Sequence, residues 1–317
     1  MMLLYNKNHE ISIKFTDFVN NINNILIINK KGVNMELLWE IIQFVVYTGL
    51  IVLISKYVLV KTLRNLAENL KLKSKTVGNI AGIATSVPEL LTICVSSYSG
   101  LTSASIYNVL SSNVINLVQY YASIILNKNQ KSFENKAIKV DLILVIITII
   151  LPIFFIAINS EIQIAMVPIL ILLYFGFRKI NDNVHKLYLK EEDKEIEEIQ
   201  EKEDRWERGN KRKVAKNATI LVIIGIVLFI IGNLLGETLE ILCLRFNVPE
   251  VVVGVILGFV TSIPELITFF ESQKHHRKLQ NNLLGVVEAT NNLLTSNMMN
   301  LFLIQSISVI IFTIFHG

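Results

Sequence analysis

The chain has 317 residues, of which 52% are hydrophobic and 18% are charged, and its formal net charge is +4. This apolar composition excludes an average water-soluble domain. The sequence has no nucleophile–base pair, no Gly-rich phosphate loop and no His/Cys metal cluster, which argues against an enzyme. We expect no cofactor and no nucleic-acid partner.

Residues 1–34 differ in composition from the rest of the chain. They are rich in Asn, contain only short apolar runs and lack the layout of a signal peptide. We interpret them as an N-terminal extension. Because a purine-rich ribosome-binding stretch can encode the KKGVNM segment, we hypothesise that the true start is Met35.

Apolar runs of about 20 residues recur along the chain, and each is long enough to cross a bilayer core of about 30 Å. They predict an all-α fold, that of a polytopic helical membrane protein surrounded by the lipid bilayer. Transmembrane helices are expected near residues 37–60, 76–99, 103–126, 139–159, 161–178, 217–241, 249–271 and 283–315. The last run is long enough for one tilted or kinked helix.

Basic residues mark one side of the membrane. Lys and Arg concentrate in the loops after spans one, three, five and seven, whereas the opposite loops offer little beyond Arg245. The positive-inside rule therefore places the basic loops in the cytoplasm and both termini outside. We expect the plasma (cytoplasmic) membrane of a prokaryote. Residues 179–216, which include the acidic-basic segment 190–213, are predicted to be a charged cytoplasmic linker.

Two nearly identical stretches, TSVPELLT at 85–92 and TSIPELIT at 261–268, lie inside predicted spans two and seven. A second pair follows one helix later, NVLSSNVINL at 108–117 and NNLLTSNMMNL at 291–301. Spans two and seven run in opposite directions, so the repeats are inverted, as in transporters whose site lies near the membrane midplane. The predicted halves are residues 35–178, with their repeat at 78–117, and residues 217–317, with their repeat at 254–301.

A proline stands next to a glutamate in each repeated stretch. Pro88 has no N–H, so the carbonyl of Ala84 loses its helical partner, and Pro264 frees the carbonyl of Val260 in the same way. In a bilayer a freed carbonyl must be satisfied by protein, water or an ion. The prolines are therefore predicted to kink their helices and to open these two backbone oxygens.

Hydroxyl groups accompany each glutamate. Thr85 and Ser86 lie four and three residues before Glu89, on the same helix face. Kinks and hydroxyls bonded back to their own helix are common in membrane proteins, but a charge inside the membrane is costly, so two at equivalent positions indicate function. Such all-oxygen surroundings suit Ca²⁺ or Na⁺. The second motif repeats the arrangement with Thr261, Ser262 and Glu265.

Carboxamides and hydroxyls also mark the helix after each motif. Ser112 lies four residues before Asn116, and Ser296 lies four residues before Asn300, so each pair shares a helix face. These side chains either join the ion site or form interhelical hydrogen bonds.

Other polar residues receive a different interpretation. Asn113 and Asn297 lie on another face of their helices and are interpreted as structural. His275 and His276 are predicted to form a solvated cytoplasmic cluster near lipid headgroups. Glu288, early in the last span, is either interfacial or lines an access path.

The two pairs of motifs resemble those of the cation/Ca²⁺ exchanger superfamily, of the sodium/calcium exchanger type. That family carries two inverted repeats, each with a G-[TS]-S-x-P-E-like stretch followed one helix later by a G-S-N-x-x-[ND]-like stretch. The corresponding stretches here are GIATSVPE and GFVTSIPE, then SSNVIN and TSNMMN.

The resemblance implies two five-helix halves and a shared set of ion ligands. Glu89 and Glu265 would bind Ca²⁺ or Na⁺, joined by the backbone carbonyl and side chain of two threonines, Thr85 and Thr261. The further ligands that it implies are Ser86, Ser262, Ser112 and Ser296 for Na⁺, with Asn116 and Asn300 closing the centre.

The sequence departs from this family pattern in three ways. Exchangers of this type usually have an acidic residue at the position of Asn300. The glycine of the second stretch is Ser111 in one repeat and Thr295 in the other. The second half has three predicted spans, so the last two family helices are expected to be missing, and a homo-oligomer is one way to cover the truncated half.

The charge of the site suggests its chemistry. Two glutamates are balanced by one Ca²⁺ or by two monovalent cations, Na⁺ or H⁺. The leading hypothesis is therefore an antiporter that exchanges Ca²⁺ for Na⁺ by alternating access. The alternatives are an H⁺-coupled Ca²⁺ antiporter and a non-transporting membrane scaffold or sensor of the same fold.

Overall fold

The computed structural model describes residues 35–62, 65–66, 73–157, 164–188, 210–278 and 281–317. Within these ranges the chain is helical apart from short turns, and they contain no β-strand. The predicted N-terminal extension lies outside the described residues, as do residues 189–209 of the predicted linker. The chain divides into two units, residues 1–43 and 44–317, and only residues 35–43 of the first are described.

The α-helices are numbered along the chain. They are α1 (Met35–Ile54), α2 (Ser74–Thr85), α3 (Val87–Tyr98), α4 (Thr102–Leu126), α5 (Lys136–Ala157), α6 (Val167–Tyr188), α7 (Asn210–Glu240), α8 (Glu250–Thr261), α9 (Ile263–Lys278), α10 (Asn282–Met298) and α11 (Gln305–His316). π-Helical turns follow α1, α7 and α10, at Ser55–Val60, Ile241–Arg245 and Met299–Ile304. Short 3₁₀ turns precede α5 and α6, at Gln130–Glu134 and Ile164–Met166.

The described part of the chain contains 8 helical segments long and apolar enough to cross a membrane, which confirms the predicted number. In chain order they are α1, α2 with α3, α4, α5, α6, α7, α8 with α9, and α10 with α11. The last segment runs from Asn282 to His316, and its two helices are joined through the π-helical turn Met299–Ile304. It is one long helix, as the sequence predicts.

Each motif interrupts its span at a single serine. Ser86 (φ −80°, ψ −1°) separates α2 from α3, and Ser262 (φ −80°, ψ −3°) separates α8 from α9. Pro88 and Pro264 follow as the second residues of α3 and α9. Proline is tolerated in the first turn of a helix because the N–H that it lacks has no intrahelical partner there. The break is nearly identical in the two halves.

The motif helices pack against the opposite half of the chain. α2 packs along α10, and α8 packs along α4. A Cβ atom on Gly82 would lie 2.7 Å from Asn292 O, and one on Gly258 would lie 2.7 Å from Asn108 O. The glycine four residues earlier in each helix makes a similar close approach. Small residues at this spacing let membrane helices approach backbone to backbone.

α10 lies at the centre of the bundle, since every residue from Leu284 to Met298 is buried. It packs against α2, α4, α5 and α9, and the turn after it packs against α6, where the rings of Phe177 and Phe302 lie 5.0 Å apart. α4, the equivalent helix of the first half, is less covered, and Val118 on its outer face is 63% exposed.

Burial also separates the motif spans from the sixth span. In the most apolar part of Ser74–Tyr98, 56% of the residues are buried, and in Glu250–Lys278 the share is 50%. In Lys213–Arg245 the share is 25%. The motif helices therefore belong to the interior of the bundle, and the sixth span lies at its periphery.

Candidate ion-binding site

The side chains predicted to bind ions are all buried in the centre of the bundle. Each is at most 1% exposed: Thr85, Ser86, Glu89, Ser112, Asn116, Thr261, Ser262, Glu265, Ser296 and Asn300. The breaks at the two serines position the motif residues among them, because each break places the first turn of α3 or α9 inside the bundle. The structure thus brings residues from both halves into one polar interior.

Ser296 connects three of the other predicted residues. Its hydroxyl donates to Glu265 Oε1 over 3.0 Å. It accepts from Ser86 Oγ over 3.1 Å and from Asn116 Nδ2 over 3.4 Å. Residues of the first half therefore reach the glutamate of the second half through one hydroxyl.

Ser112 has the equivalent position in the other half. Asn300 Nδ2 donates to Ser112 Oγ over 2.8 Å. Ser262 Oγ donates mainly to Gly258 O, over 2.7 Å, and lies 3.5 Å from Ser112 O. The same residue types therefore meet twice, once in each half.

The threonines of the motifs face the glutamate of the opposite half. Thr261 interacts with Glu89, and Thr85 interacts with Glu265. The Thr261 hydroxyl nevertheless gives its proton to Leu257 O, over 2.9 Å. Each glutamate thus has a threonine of the opposite half beside it, and the proton of the Thr261 hydroxyl is directed to its own helix.

Several buried oxygen atoms in this interior have no hydrogen-bond donor in suitable geometry among the described residues. They are both carboxylate oxygens of Glu89, Oε2 of Glu265, and the amide oxygens of Asn108, Asn116 and Asn300. A buried acceptor left without a partner is costly, and a buried charge more so. Oxygen atoms with these properties are suited to a hard cation.

The two carbonyls predicted to be freed lie at the helix breaks. The helical donor for Ala84 O would be residue 88, which is a proline, and that for Val260 O would be Pro264. Ser86 N–H is directed back at Gly82 O, over 3.2 Å, and at Ala84 O. Each freed carbonyl thus lies near one backbone N–H, and that N–H also points at a second carbonyl.

Two carboxamide–hydroxyl pairs that were not predicted from the sequence lie close to the glutamates. Asn108 Nδ2 donates to Thr92 Oγ1 over 2.8 Å, and Asn292 Nδ2 donates to Thr268 Oγ1. All four side chains are at most 6% exposed. The pairs occupy equivalent places in the two repeats, so a repeat alignment indicates that the residues are equivalent, although it does not give their partners.

Asn113 and Asn297 link the two halves directly. Asn113 Nδ2 donates to Asn297 O over 3.3 Å, and Asn297 Nδ2 donates to Asn113 O over 3.1 Å. Their amide oxygens accept from Asn300 and Asn116, over 3.1 and 3.2 Å. This reciprocal bonding agrees with the structural role predicted for the pair.

The prediction of a solvated histidine cluster is wrong for His276. Its side chain is 5% exposed, and Nε2 lies 3.0 Å from Glu288 Oε2 and 3.5 Å from Ser74 Oγ. α9 continues to Lys278, so it carries His276 on its inner face and leaves His275 exposed. Glu288, which is 6% exposed, lies inside the bundle rather than on an open interface.

A second buried polar network, which the sequence analysis also missed, joins α5, α6 and α10. Asp141 accepts from Asn181 Nδ2 over 2.8 Å, and its other oxygen lies 2.7 Å from His185 Nε2. Asn181 also donates to Asn291 over 3.2 Å. Asp141 lies near the start of the fourth apolar run, a position that predicts an interfacial carboxylate. In the structure the packing of α6 buries it.

Comparisons with known proteins identify the family. The chain is similar in fold to the sodium-calcium exchanger NCX_Mj, in crystals soaked with Na⁺ and Sr²⁺ (TM-score 0.50, 21% identity) and with Na⁺ without Ca²⁺ (TM-score 0.51, 19% identity). Each match covers 87% of this chain and 83% of the other. No curated protein is significantly similar to the chain in sequence. The family model "Sodium/calcium exchanger protein" matches residues 39–178 and 216–316, more than half of the sequence, and the chain belongs to this family.

Proposed function

We propose that the protein exchanges Ca²⁺ for Na⁺ across the membrane, with both ions bound in turn at one centre formed by Glu89 and Glu265. The observation that carries the proposal is the set of buried oxygens without donors around these glutamates. Family membership supports cation exchange, and NCX_Mj is itself described as a sodium-calcium exchanger.

The charge of the two glutamates sets the expected stoichiometry. One Ca²⁺ or two Na⁺ neutralise two carboxylates, whereas unbalanced charge in a medium of low dielectric constant is costly. Because the same oxygens bind both ions, binding of Ca²⁺ excludes Na⁺ and binding of Na⁺ excludes Ca²⁺. This competition couples the transport of one ion to that of the other. We therefore propose a transport cycle close to electroneutral.

The remaining ligands extend this centre on both sides. Thr85 and Thr261 offer hydroxyls, and the carbonyls of Ala84 and Val260 offer backbone oxygens at the breaks. The serines and asparagines proposed to complete the Na⁺ positions are Ser86, Ser262, Ser112, Ser296, Asn116 and Asn300. Movement of the first and sixth spans across the interior helices would open the centre to one side and then to the other, which fits the peripheral position of the sixth span.

Flux measurements on the whole chain test the proposal. Purified protein in proteoliposomes should take up ⁴⁵Ca²⁺ when an outward Na⁺ gradient is imposed at constant pH. Glu89→Gln and Glu265→Gln should each reduce this uptake by about 100-fold or more, because each removes one of the two charges that the ion pairs with. Glu237→Gln, at an exposed position, is the matched control.

Each alternative predicts a different result in the same experiment. Uptake driven by a pH gradient but not by Na⁺ would assign H⁺ as the coupling ion. Uptake that changes with an imposed membrane potential would contradict the electroneutral stoichiometry. No uptake under either gradient, with the folded protein present, would favour a scaffold or sensor.

A further inference from the structure

A basic cavity lies between the end of the first span and the start of the sixth. Its volume is about 500 Å³, and both stretches of chain line it. None of its lining residues belongs to either repeated motif, so it is separate from the proposed ion centre. Its polar lining includes three lysines and three neutral side chains: Lys61, Lys213, Lys216, Thr62, Asn65 and Asn217.

The lysines give the basic cavity charge of a single sign. Lys61 follows the first span, whereas Lys213 and Lys216 lie three residues apart and share one face of α7. All three are exposed, and of the described residues that line the cavity none is acidic. Like charges around one space repel each other, and a bound anion would offset this repulsion.

The neutral side chains suit the basic cavity to a phosphate group. Lysine binds phosphate as a point charge, and amide and hydroxyl groups can donate hydrogen bonds to the remaining phosphate oxygens. Thr62 and Asn65 offer such donors beside Lys61, and Asn217 offers one beside Lys216. Donors from two separate stretches of chain therefore surround one space.

The position of the basic cavity is at the membrane surface. The first apolar span ends at Leu59, two residues before Lys61, and the sixth begins at Lys213. Both ends lie on the side of the basic loops, which is the predicted cytoplasmic side. Anionic lipids give the cytoplasmic leaflet a negative surface potential that attracts basic segments. Their headgroups are therefore the phosphate groups nearest to the cavity.

Apolar surface continues from the basic cavity into the membrane. Val58 and Ile220 form part of its wall. Ile223 and Val227 follow Ile220 on the same face of α7, and both are exposed, as is Leu53 at the end of α1. A phospholipid has acyl chains for this surface as well as a phosphate for the lysines, whereas a soluble phosphate compound would use the cavity alone.

The two spans beside the basic cavity are those proposed to move during transport. In their most apolar parts 22% and 25% of the residues are buried, against 50% or more in the motif spans. The π-helical turn Ser55–Val60 packs against α7 and also against the motif helices α2 and α9. A ligand held between Lys61 and Lys216 would therefore connect the two peripheral spans next to the place where the first span contacts the interior.

We propose that the basic cavity binds the phosphate headgroup of an anionic phospholipid, and that the bound lipid ties the first span to the sixth. Lys61 contacts the phosphate from one side, and Lys213 and Lys216 contact it from the other. The acyl chains lie along the exposed apolar face of α7. This site goes beyond the proposed exchange function and does not depend on it.

Native mass spectrometry of the purified full-length protein tests the site, with dioleoyl phosphatidylglycerol as the probe. Lys61→Gln/Lys216→Gln should weaken the binding of this lipid by about tenfold or more, because each lysine near the membrane surface attracts anionic lipid. Lys131→Gln/Lys274→Gln is the matched control, since it removes the same charge from exposed positions elsewhere on the same predicted side. The control should bind within about twofold of the wild type, because distant surface charges are screened.

Single substitutions test whether the lipid bridges the two spans. Lys61→Gln and Lys216→Gln should each weaken binding by about threefold or more. Lys61→Arg/Lys216→Arg keeps both charges and should bind the lipid as the wild type does. Weakening by only one of the single substitutions would place the lipid on one span and overturn the bridge. Equal weakening in the cavity and control double variants would indicate attraction by net charge alone and overturn the site.

Two further probes distinguish a lipid from other phosphate compounds. Inorganic phosphate and glycerophosphoglycerol, which is the same headgroup without acyl chains, should not displace the bound lipid at millimolar concentration. Full displacement by either would identify a soluble phosphate anion as the ligand and contradict the lipid assignment. Dioleoyl phosphatidylcholine, which has no net charge, should bind about tenfold more weakly than phosphatidylglycerol. Equal affinity for the two lipids would also overturn the proposal.

Discussion

Asn300 determines how many negative charges the proposed ion centre carries. Its amide donates to Ser112 Oγ and to Asn113 Oδ1, over 2.8 and 3.1 Å, and its own oxygen has no donor among the described residues. A carboxylate at this position would accept instead of donate and would add a third charge. The carboxamide thus keeps the proposed centre at two charges, with a hydrogen-bonding pattern that an acid could not adopt.

Asn300→Asp should therefore change the stoichiometry of exchange. With three carboxylates, about three Na⁺ would be needed for neutrality while one Ca²⁺ would leave one negative charge, so each cycle would move net charge. We expect Ca²⁺ uptake into proteoliposomes to become dependent on an imposed membrane potential. Asn300→Ala, which removes the donor without adding charge, is the control, and potential-independent uptake by an active Asn300→Asp protein would contradict the prediction.

At the level of helices, the crossings of α2 with α10 and of α8 with α4 hold the two motifs at the centre. Gly82 and Gly258 lie at these crossings, each against the backbone of the opposite half. A methyl group at either position would meet a backbone oxygen at 2.7 Å, which requires the helices to separate. Separation by even a fraction of an ångström would pull Ser86 away from Ser296, which lies one turn beyond the same crossing.

Gly82→Ala and Gly258→Ala should each destabilise the protein by about 1–3 kcal/mol, the usual cost of overpacking a close contact. Thermal unfolding of the detergent-solubilised variants measures the effect as a lower Tm. Gly225→Ala is the matched control, because nothing lies within 4 Å of the added methyl group and alanine favours the helix. A Tm for Gly82→Ala equal to that of Gly225→Ala would contradict the crossing geometry.

The sequence was sufficient to predict the elements that depend on local pattern. Apolar run length predicted the 8 spans. The duplicated motif predicted that both halves contribute to one site, and Ser86 and Asn116 of the first half lie against Ser296 of the second. The placement of side chains at the helix ends was harder to predict from the sequence. His276 stands in a run of charged residues, yet the extra turns of α9 direct it inward to Glu288, because only packing decides which face of a helix end is covered.

Hydrogen bonds between side chains of different helices were the other feature that could not be predicted from the sequence. Asn108 and Thr92 lie on different helices, and neither has an unusual neighbour in the sequence, so only the fold reveals their hydrogen bond. Asp141 and His185 meet for the same reason, across α5 and α6. A repeat alignment indicates that Asn108 and Asn292 are equivalent, but it gives no partner for either.

For the whole molecule, the distribution of basic loops predicts its orientation in the membrane. Lys131, in the turn before α5, and Asn247, in the turn after α7, are both exposed and lie in loops on opposite predicted sides. With Cys94 and Cys243 replaced by serine, Asn247→Cys should react with a membrane-impermeant maleimide in intact cells. Lys131→Cys should react only after the membrane is permeabilised, and the reverse pattern would overturn the predicted orientation.

The packing of each motif helix on the opposite half has a consequence for biosynthesis. When the first half has entered the membrane, the glycine surface of α2 has no partner, because α10 is translated long after α2. The membrane must therefore hold α2 and α3, with Glu89 in the first turn of α3 and still unshielded, until the second half arrives. Assembly of the proposed ion centre must in this sense wait for α10, and mutations in α10 should affect the maturation of the first half as strongly as that of the second.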